Sequence, residues 1–295
     1  MGMGLSVVVV LPTYNRAGVL GRAVDSVLGQ TWTDFELIVV DDGSTDETAD
    51  LLQTYDDGRL RVIRHAYNRG VAAARNTGIL ASRSDWVAFI DSDDEWLPYK
   101  LERQMRVAEG MQEGETAVLY SALVRVQNGR KSRFPQQGAR GYVHTELVGG
   151  NLMAASTALV RRDCLAREEQ FDERLRCLVD WELWLRLSRF YHFGFMDEPL
   201  VTAHVLPDGV SGEDAAVLEA LQYIVDKHEA SFSQDRKQLA HYYFLIGNHL
   251  CMNGGMGNGR RYLERAIKAD SYQPRYRLAR VVSFLGRGVY GRVWG

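Results

Sequence analysis

Cysteine is scarce: Cys164, Cys177 and Cys251 are scattered, odd in number and without metal-ligand spacing. This excludes a disulfide framework and fits structural or incidental thiols in a reducing compartment. Long apolar runs are also missing. The longest clean one, Val7 to Leu11, is too short to cross a bilayer and reads as a strand. No signal peptide is visible, so the expected location is the cytoplasm, with peripheral contact at the inner face of the membrane as the variant of that reading. Residues 1 to 6 formally match a myristoylation pattern, but a core strand starts directly behind them and the match is taken as chance. Charge is balanced: a net charge of -3 argues against a nucleic-acid binder. Pro12 to Gly18 holds no Gly-rich, basic phosphate loop, and no motif for a covalent nucleophile stands out.

What is present is enough for a substantial core. With 295 residues and 46% hydrophobic content, the chain suits one large domain or one domain with an appendage. Leu5 to Leu11 reads as a buried parallel strand bounded by Pro12, and Thr13 to Arg16 as a polar turn. An amphipathic helix carrying Val19, Leu20, Ala23, Val27 and Leu28 follows, as far as Gln30. Phe35 to Val40 is a second strand ending at Asp41 to Ser44. Ser44 with Glu47 forms a capping-box signature, which predicts a helix from Thr45 to about Tyr55. Leu60 to Arg64 is a third strand, Val71 to Ala81 a helix, and Trp86 to Ile90 a fourth strand. This β-α alternation predicts an α/β fold, a doubly wound sheet with right-handed crossovers.

In such sheets ligands bind beyond the C-terminal strand ends. Thr13 to Arg16, Asp41 to Ser44 and Asp91 to Asp94 all occupy that position and should share one cleft. The last of these is the most loaded. Asp91, Asp93 and Asp94 follow a buried strand at once, and carboxylates so close repel one another unless a cation neutralises them. Mg²⁺ or Mn²⁺ bound to a diphosphate is one reading. An acidic loop capping the helix that begins near Pro98 is the other.

Four stretches in order carry a resemblance: Val9 to Arg16, Gln30 to Asp46, Asn68 to Gly78 and Phe89 to Asp94. Together they resemble the family-2 glycosyltransferases, whose catalytic domain is a Rossmann-like GT-A fold with a mostly parallel sheet flanked by helices. The resemblance implies that Tyr14 and Asp42 contact the base of a nucleoside diphosphate sugar, usually uridine, with Pro12 and Thr13 in the same donor-binding site. It places Arg75 near the nucleotide, gives the acidic run to ribose contacts and one of its aspartates to a Mn²⁺ or Mg²⁺ cofactor, with Asp93 favoured as that ligand and Asp91 and Asp94 close behind. Leu178 to Leu187 reads as a helix with Asp180 in its first turn, a common capping position. The family carries its general base there, and Asp180 matches it. Val179 replaces the family's usual preceding Glu. His204 and Leu206 stand where the family often has Arg and His.

Between these motifs, Tyr99 to Glu109 is helical, Ala117 to Val126 strand-like, and Gln127 to Arg130 a hairpin turn. Residues 131 to 150 read as a loop over the cleft that meets the acceptor, and Asn151 to Val160 as a strand. From Glu213 the pattern is helical throughout, with helices expected over Ala216 to His228, Gln238 to Asn253, Gly259 to Ala269 and Arg275 to Leu285. The expected division is therefore a catalytic domain, 1–212, and a C-terminal all-helical extension, 213–295. Tyr243, Gly247, Leu250, Leu263 and Pro274 faintly resemble one tetratricopeptide repeat, too little for a solenoid. Packing against the catalytic domain or a protein partner fits better. Val281 to Gly295 mixes arginine with apolar side chains: it suits an anionic membrane surface, a solvated tail or a packed helix.

The expected activity is inverting, metal-dependent transfer of a hexosyl group from a nucleoside diphosphate sugar, a UDP-sugar by resemblance, to a hydroxyl of a saccharide or lipid-linked acceptor in surface polysaccharide or glycoconjugate assembly. A nucleotide-sugar-binding or scaffold protein of a glycan assembly complex, reduced in turnover, is the competing reading. A nucleotidyltransferase would need the phosphate loop that is missing after the first strand.

Overall fold

In the computed structural model, which describes residues 6–111, 116–167, 170–205 and 214–294, strand β1 (Val7–Thr13) is buried along its whole length. It runs parallel to β2 (Phe35–Asp41) on one side and β4 (Trp86–Phe89) on the other. Strand β3 (Leu60–Arg64) adds in parallel at the edge of β2 and is correspondingly exposed. The strand continues through Pro12 instead of stopping there. Residues two apart along a strand aim their polar groups the same way, and Val10 accepts from Ile90 on the β4 side, where the ladder ends at Val10 and Phe89. Proline's missing N–H at position 12 therefore costs no ladder bond.

The two faces of these strands are covered as their alternation dictates. Val7, Val9 and Leu11 join Leu37, Val39, Ala88 and Ile90 in one core with Leu20, Val24 and Val27 of α1 (Ala17–Leu28) and Leu101 and Met105 of α4 (Lys100–Glu109). Truncating one of the larger side chains here to alanine would cost about 2–5 kcal/mol. On the other face α3 (Val71–Ala81) lies so close to β1 that a Cβ on Gly78 would fall 2.4 Å from Val10 Cγ1.

Beyond β4 the sheet is mixed: after β3-β2-β1-β4 come β8 (Ala158–Arg161), β6 (Thr116–Gln127), β9 (His192–His204) and β5 (Glu95–Trp96) in that order, and β7 (Arg130–Phe134) pairs with β6 off this path. Strand β8 pairs antiparallel with both β4 and β6, and β9 runs parallel to β6. The short β5 pairs antiparallel with β9. The simple doubly wound expectation thus covers the first four strands, and the second half of the sheet departs from it.

Three local expectations are corrected. The Ser44–Glu47 capping box does not form: Ser44 Oγ is taken by the Asn15 N–H, and α2 begins later (Thr48–Gln53). Residues 131 to 150 are not one loop, since β7 (Arg130–Phe134) completes the hairpin predicted at Gln127 to Arg130, and α5 (His144–Gly149) follows. The strand expected over Asn151 to Val160 is only β8, preceded by a 3-10 turn at Ala155–Thr157. Next come α6 (Arg162–Arg167) and α7 (Val179–Leu187), the latter with Trp181, Leu183, Trp184 and Leu185 buried.

The chain divides into two compact units, residues 1–209 and 210–295. The boundary expected at 212–213, Leu206 and the Gly209 to Ser211 stretch all lie outside the described residues. The second unit holds α8 (Asp214–Lys227), α9 (Glu229–Phe232), α10 (Arg236–Met252), α11 (Met256–Ala269), α12 (Pro274–Val282) and α13 (Arg287–Trp294). Asp235 caps α10 by accepting the N–H groups of Lys237 and Gln238, both at 3.0 Å. Helix α13 packs rather than trails: Tyr290 is fully buried and donates to Asn248 Oδ1 at 2.8 Å, while Trp294 meets the Phe244 ring. Among the described residues no helix is long and apolar enough to cross a membrane.

Candidate functional site

The register that pairs Thr13 with Asp41 and Val10 with Phe89 brings the C-terminal ends of β1, β2 and β4 to one edge. Of the donor-site residues expected in the first hundred, Pro12, Thr13, Tyr14, Asp42, Asp91, Asp93 and Asp94 lie on or just beyond that edge, and Arg75 reaches it from α3 through its bond to Asp91. Pro12 and Thr13 are buried in β1, while Tyr14, immediately after it, is 43% exposed. Asn15 adopts a left-handed φ of 51° and turns its side chain towards the next strand end. Its Oδ1 accepts the N–H groups of Thr45 at 2.7 Å and Asp46 at 3.3 Å, so the loops after β1 and β2 are stitched together. The hydroxyl of Thr13 is buried and has no hydrogen-bond partner among the described residues.

Asp42 is buried and already well supplied with donors. Its Oδ1 accepts the Arg69 N–H at 2.9 Å and lies 2.7 Å from His65 Nδ1, and its Oδ2 accepts the Gly70 N–H at 2.7 Å. The loop between β3 and α3 therefore wraps the carboxylate. Gly43 makes the wrap possible: its φ is +77° and a Cβ there would meet the Tyr67 backbone at 2.6 Å.

From α3, the buried Arg75 lays its guanidinium over the Phe171 ring at 5.1 Å and donates to Asp91 Oδ1 at 2.5 Å. A buried arginine needs such a partner. The acidic turn is arranged asymmetrically. Asp94 is buried and accepts from Ser156 Oγ at 2.5 Å, and the same hydroxyl accepts the Asp91 N–H at 3.0 Å. Asp91 and Asp93 keep some solvent-facing surface. Arg22 donates to the Asp93 carbonyl at 2.5 Å. Burial, and then the charge of Asp91, push the Asp93 carboxyl above the usual range, against the pull of Arg16 and Arg22. The same two causes push Asp94 well up, opposed by its hydrogen bond from Ser156. The acidic run does not cap the next helix: Tyr99 is the N-cap of α4 and its side chain makes no capping bond, while Gln30 Oε1 accepts the Leu101 N–H at 2.9 Å.

Helix α7 delivers Asp180. Its N-cap is Leu178, in a left-handed conformation with φ +56°. Asp180 Oδ1 accepts the Trp181 N–H at 2.8 Å and Oδ2 accepts from Asn151 Nδ2 at 3.2 Å. Burial raises its pKa above the usual carboxylate value; Arg75 pulls it down and Asp91 pushes it up. Asp180 thus lies within the electrostatic reach of both partners of the Arg75–Asp91 ion pair. Val179 is buried, so the position where the family usually has Glu faces the core. Helix α5 packs on α7, with Trp181 Nε1 donating to the Leu147 carbonyl at 2.8 Å.

Among the described residues no group of three or more His, Cys, Asp or Glu side chains is set up as a ready-made metal cage. The acidic turn still offers hard oxygen donors. With Asp94 turned onto Ser156, Asp93 and Asp91 are a mutually repelling pair with open surface, which fits a Mg²⁺ or Mn²⁺ that takes one or two carboxylates and fills its shell from substrate phosphates. His204 sits beside the acidic turn, its backbone N–H bonding the Asp94 carboxylate and its Nε2 3.8 Å from Glu95 Oε2; burial, then Arg22, keep its ring below the ordinary histidine value. Ser156, Asn151 and Arg22 escaped the sequence reading. Asn151 and Ser156 showed only as polar interruptions of an apolar stretch, and Arg22 as one more charge on a helix.

Solved structures share this fold. Staphylococcus aureus TarS, residues 1–349 in complex with UDP-GlcNAc, superposes with a TM-score of 0.67 over 99% of this chain and 89% of that one, at 19% identity. A Pyrobaculum calidifontis mannosyltransferase in complex with GDP-Man and Mn²⁺ gives 0.62 over 99% and 87%, at 15% identity. The architecture is the GT-A fold. The chain belongs to glycosyl transferase family 2, whose profile matches residues 8–166. The putative teichuronic acid biosynthesis glycosyltransferase TuaG of Bacillus subtilis is 30% identical over 208 residues, 69% of this chain and 80% of that protein. The Escherichia coli UDP-Glc:alpha-D-GlcNAc-diphosphoundecaprenol beta-1,3-glucosyltransferase WfgD is 37% identical over 97 residues, 33% and 38% of the two chains. Against three Rickettsia glycosyltransferases the match spans only 29–32% of their length.

Proposed function

We propose that this protein is an inverting glycosyltransferase that moves a sugar from a nucleoside diphosphate donor, a UDP-sugar, to a hydroxyl of a saccharide or lipid-linked acceptor in surface polysaccharide assembly. The observation that carries the reading is that one short segment bonds both groups, Asn151 donating to Asp180 at 3.2 Å and Ser156 holding Asp91 and Asp94, which joins a candidate base to a candidate donor site. TuaG, WfgD and the UDP-GlcNAc complex of TarS support the donor and acceptor classes.

Tyr14 offers its exposed ring to the base, beside Asp42, Pro12 and Thr13. Arg75 holds Asp91 on the donor side of the cleft. Asp180 takes the proton of the acceptor hydroxyl as that oxygen forms its bond to the anomeric carbon. The bond from that carbon to the diphosphate breaks on the opposite face, and its electron pair leaves with the phosphate oxygen. General-base help of this kind contributes about 10²- to 10⁴-fold. A pKa raised by burial suits the task, because a more basic carboxylate accepts the proton more readily. Asp93, with Asp91 beside it, would hold a divalent cation, which when bound supplies Lewis-acid stabilisation of the departing diphosphate. Asn151 fixes one Asp180 oxygen, so the segment before β8 takes part in presenting the base.

The test is donor hydrolysis and transfer across a panel of nucleoside diphosphate sugars with Mg²⁺ or Mn²⁺, comparing wild type with Asp93→Ala and Asp180→Asn. The reading requires chelator-sensitive release of diphosphate from one donor, lost in Asp93→Ala, and loss of transfer with retained donor binding in Asp180→Asn. Binding without turnover by the wild type on every donor and acceptor would instead favour a nucleotide-sugar-binding role.

A further inference from the structure

The helical unit carries an outward surface that the proposed catalysis does not use. Leu278, Val281, Leu285, Val289 and Val293 recur every three or four residues and are 41–63% exposed, with Phe284 exposed beside them at 61%. Their helices point the opposite way with their buried residues: Tyr276, Ala279 and Val282 of α12 and Tyr290 of α13 face the body of the unit. The segment that bears the stripe carries one sign of charge, with Glu264 of α11 set against Arg280 at 3.9 Å from outside it. Residues 271–295 contain five arginines, Arg275, Arg277, Arg280, Arg287 and Arg292, and no lysine, aspartate or glutamate. As the whole chain carries -3, these five leave -8 on the remainder, so the charge is segregated onto this end. Arg277 and Arg292 are exposed, and Arg280 sits over the Phe284 ring at 5.7 Å.

Aliphatic side chains flanked by arginine, with no acid between them, match the interface of an anionic bilayer, where the apolar groups enter the headgroup boundary and the guanidinium groups meet phosphate. A nucleic acid would use the charge but leave the aliphatic stripe in water. We infer that the α12–α13 face docks on an anionic phospholipid surface. This goes beyond the transfer reaction and does not depend on it.

The experiment is sedimentation of the full chain with vesicles of phosphatidylcholine alone and of phosphatidylcholine mixed with phosphatidylglycerol. Binding is expected only to the mixed vesicles and is expected to fall at high salt. Arg277→Ala and Arg292→Ala should each weaken it about fivefold. A combined Leu278→Ser, Val281→Ser, Leu285→Ser variant should lose it while keeping wild-type circular dichroism, since all three positions are exposed. Equal binding to both vesicles, no binding to either, or binding that survives the serine variant overturns the proposal. Self-association that the serine variant abolishes, without vesicle binding, would assign the face to a second copy of the chain and also overturn it.

Discussion

The hydroxyl of Ser156 donates to the Asp94 carboxylate at 2.5 Å and accepts the Asp91 N–H at 3.0 Å, so one buried side chain from the second half of the sheet fixes both ends of the acidic turn. Ser156→Ala leaves a buried carboxylate and a backbone N–H short of a partner. The expected destabilisation is about 1–3 kcal/mol, read as a lowered denaturant midpoint. Donor turnover should fall with it, and Ser156→Thr should restore part of both. An alanine variant of wild-type stability would show that the bond contributes nothing.

Tyr14 is the exposed aromatic at the end of β1. If a nucleobase stacks there, Tyr14→Ala should weaken donor binding about 5- to 150-fold, the equivalent of one base–aromatic stack. Tyr14→Phe should bind as wild type. Calorimetric titration with UDP checks both, and an unchanged affinity in the alanine variant would remove Tyr14 from the site.

Asp91 and Asp93 repel each other. A cation that relieves this binds the folded chain alone, so Mn²⁺ should raise the melting temperature in proportion to about 2.7 kcal/mol at a free concentration of 100 times its dissociation constant. Chelator should reverse the gain. Asp93→Asn should melt no lower than metal-free wild type, because it removes one of the repelling charges, and should no longer respond to Mn²⁺. A response that survives in Asp93→Asn would move the metal to other ligands.

Lys100 is fully buried, with Nζ 2.6 Å from Gln104 Oε1 and 3.8 Å from the Trp96 ring centroid. Burial drives its pKa well below that of a free lysine. The unfolded chain then holds a proton that the folded chain releases, so this residue's contribution to stability rises with pH up to the unfolded lysine pKa of about 10.4. Lys100→Met removes that dependence. Urea midpoints at neutral and alkaline pH should show wild type gaining on the variant as pH rises. A difference that does not change with pH would contradict the shift.

The first half of the sheet was legible because each buried parallel strand is a continuous apolar run and each ends in a polar cluster. Helix α3 and strand β3 fall where their patterns put them. The second half was less so. Its strands owe their pairing to partners far away in sequence, as when β8 slots between β4 and β6, and nothing local in Ala158 to Arg161 announces that. Ser44 failed as a cap for the same reason, since a distant Asn15 N–H claimed its hydroxyl. The acidic turn was visible as three carboxylates in four residues, but their division of labour was not, because Ser156 makes it from 62 residues away.

Leu178 brings a different kind of consequence. A left-handed backbone is costly for a leucine, by about 1–2 kcal/mol, and the chain keeps this one directly ahead of the helix that presents Asp180. Selection for heat resistance would find position 178 early, since glycine relaxes the backbone there at once. The same change would loosen the hinge from which Asp180 is aimed. Variants hardened at this position are therefore the ones most apt to trade turnover for durability.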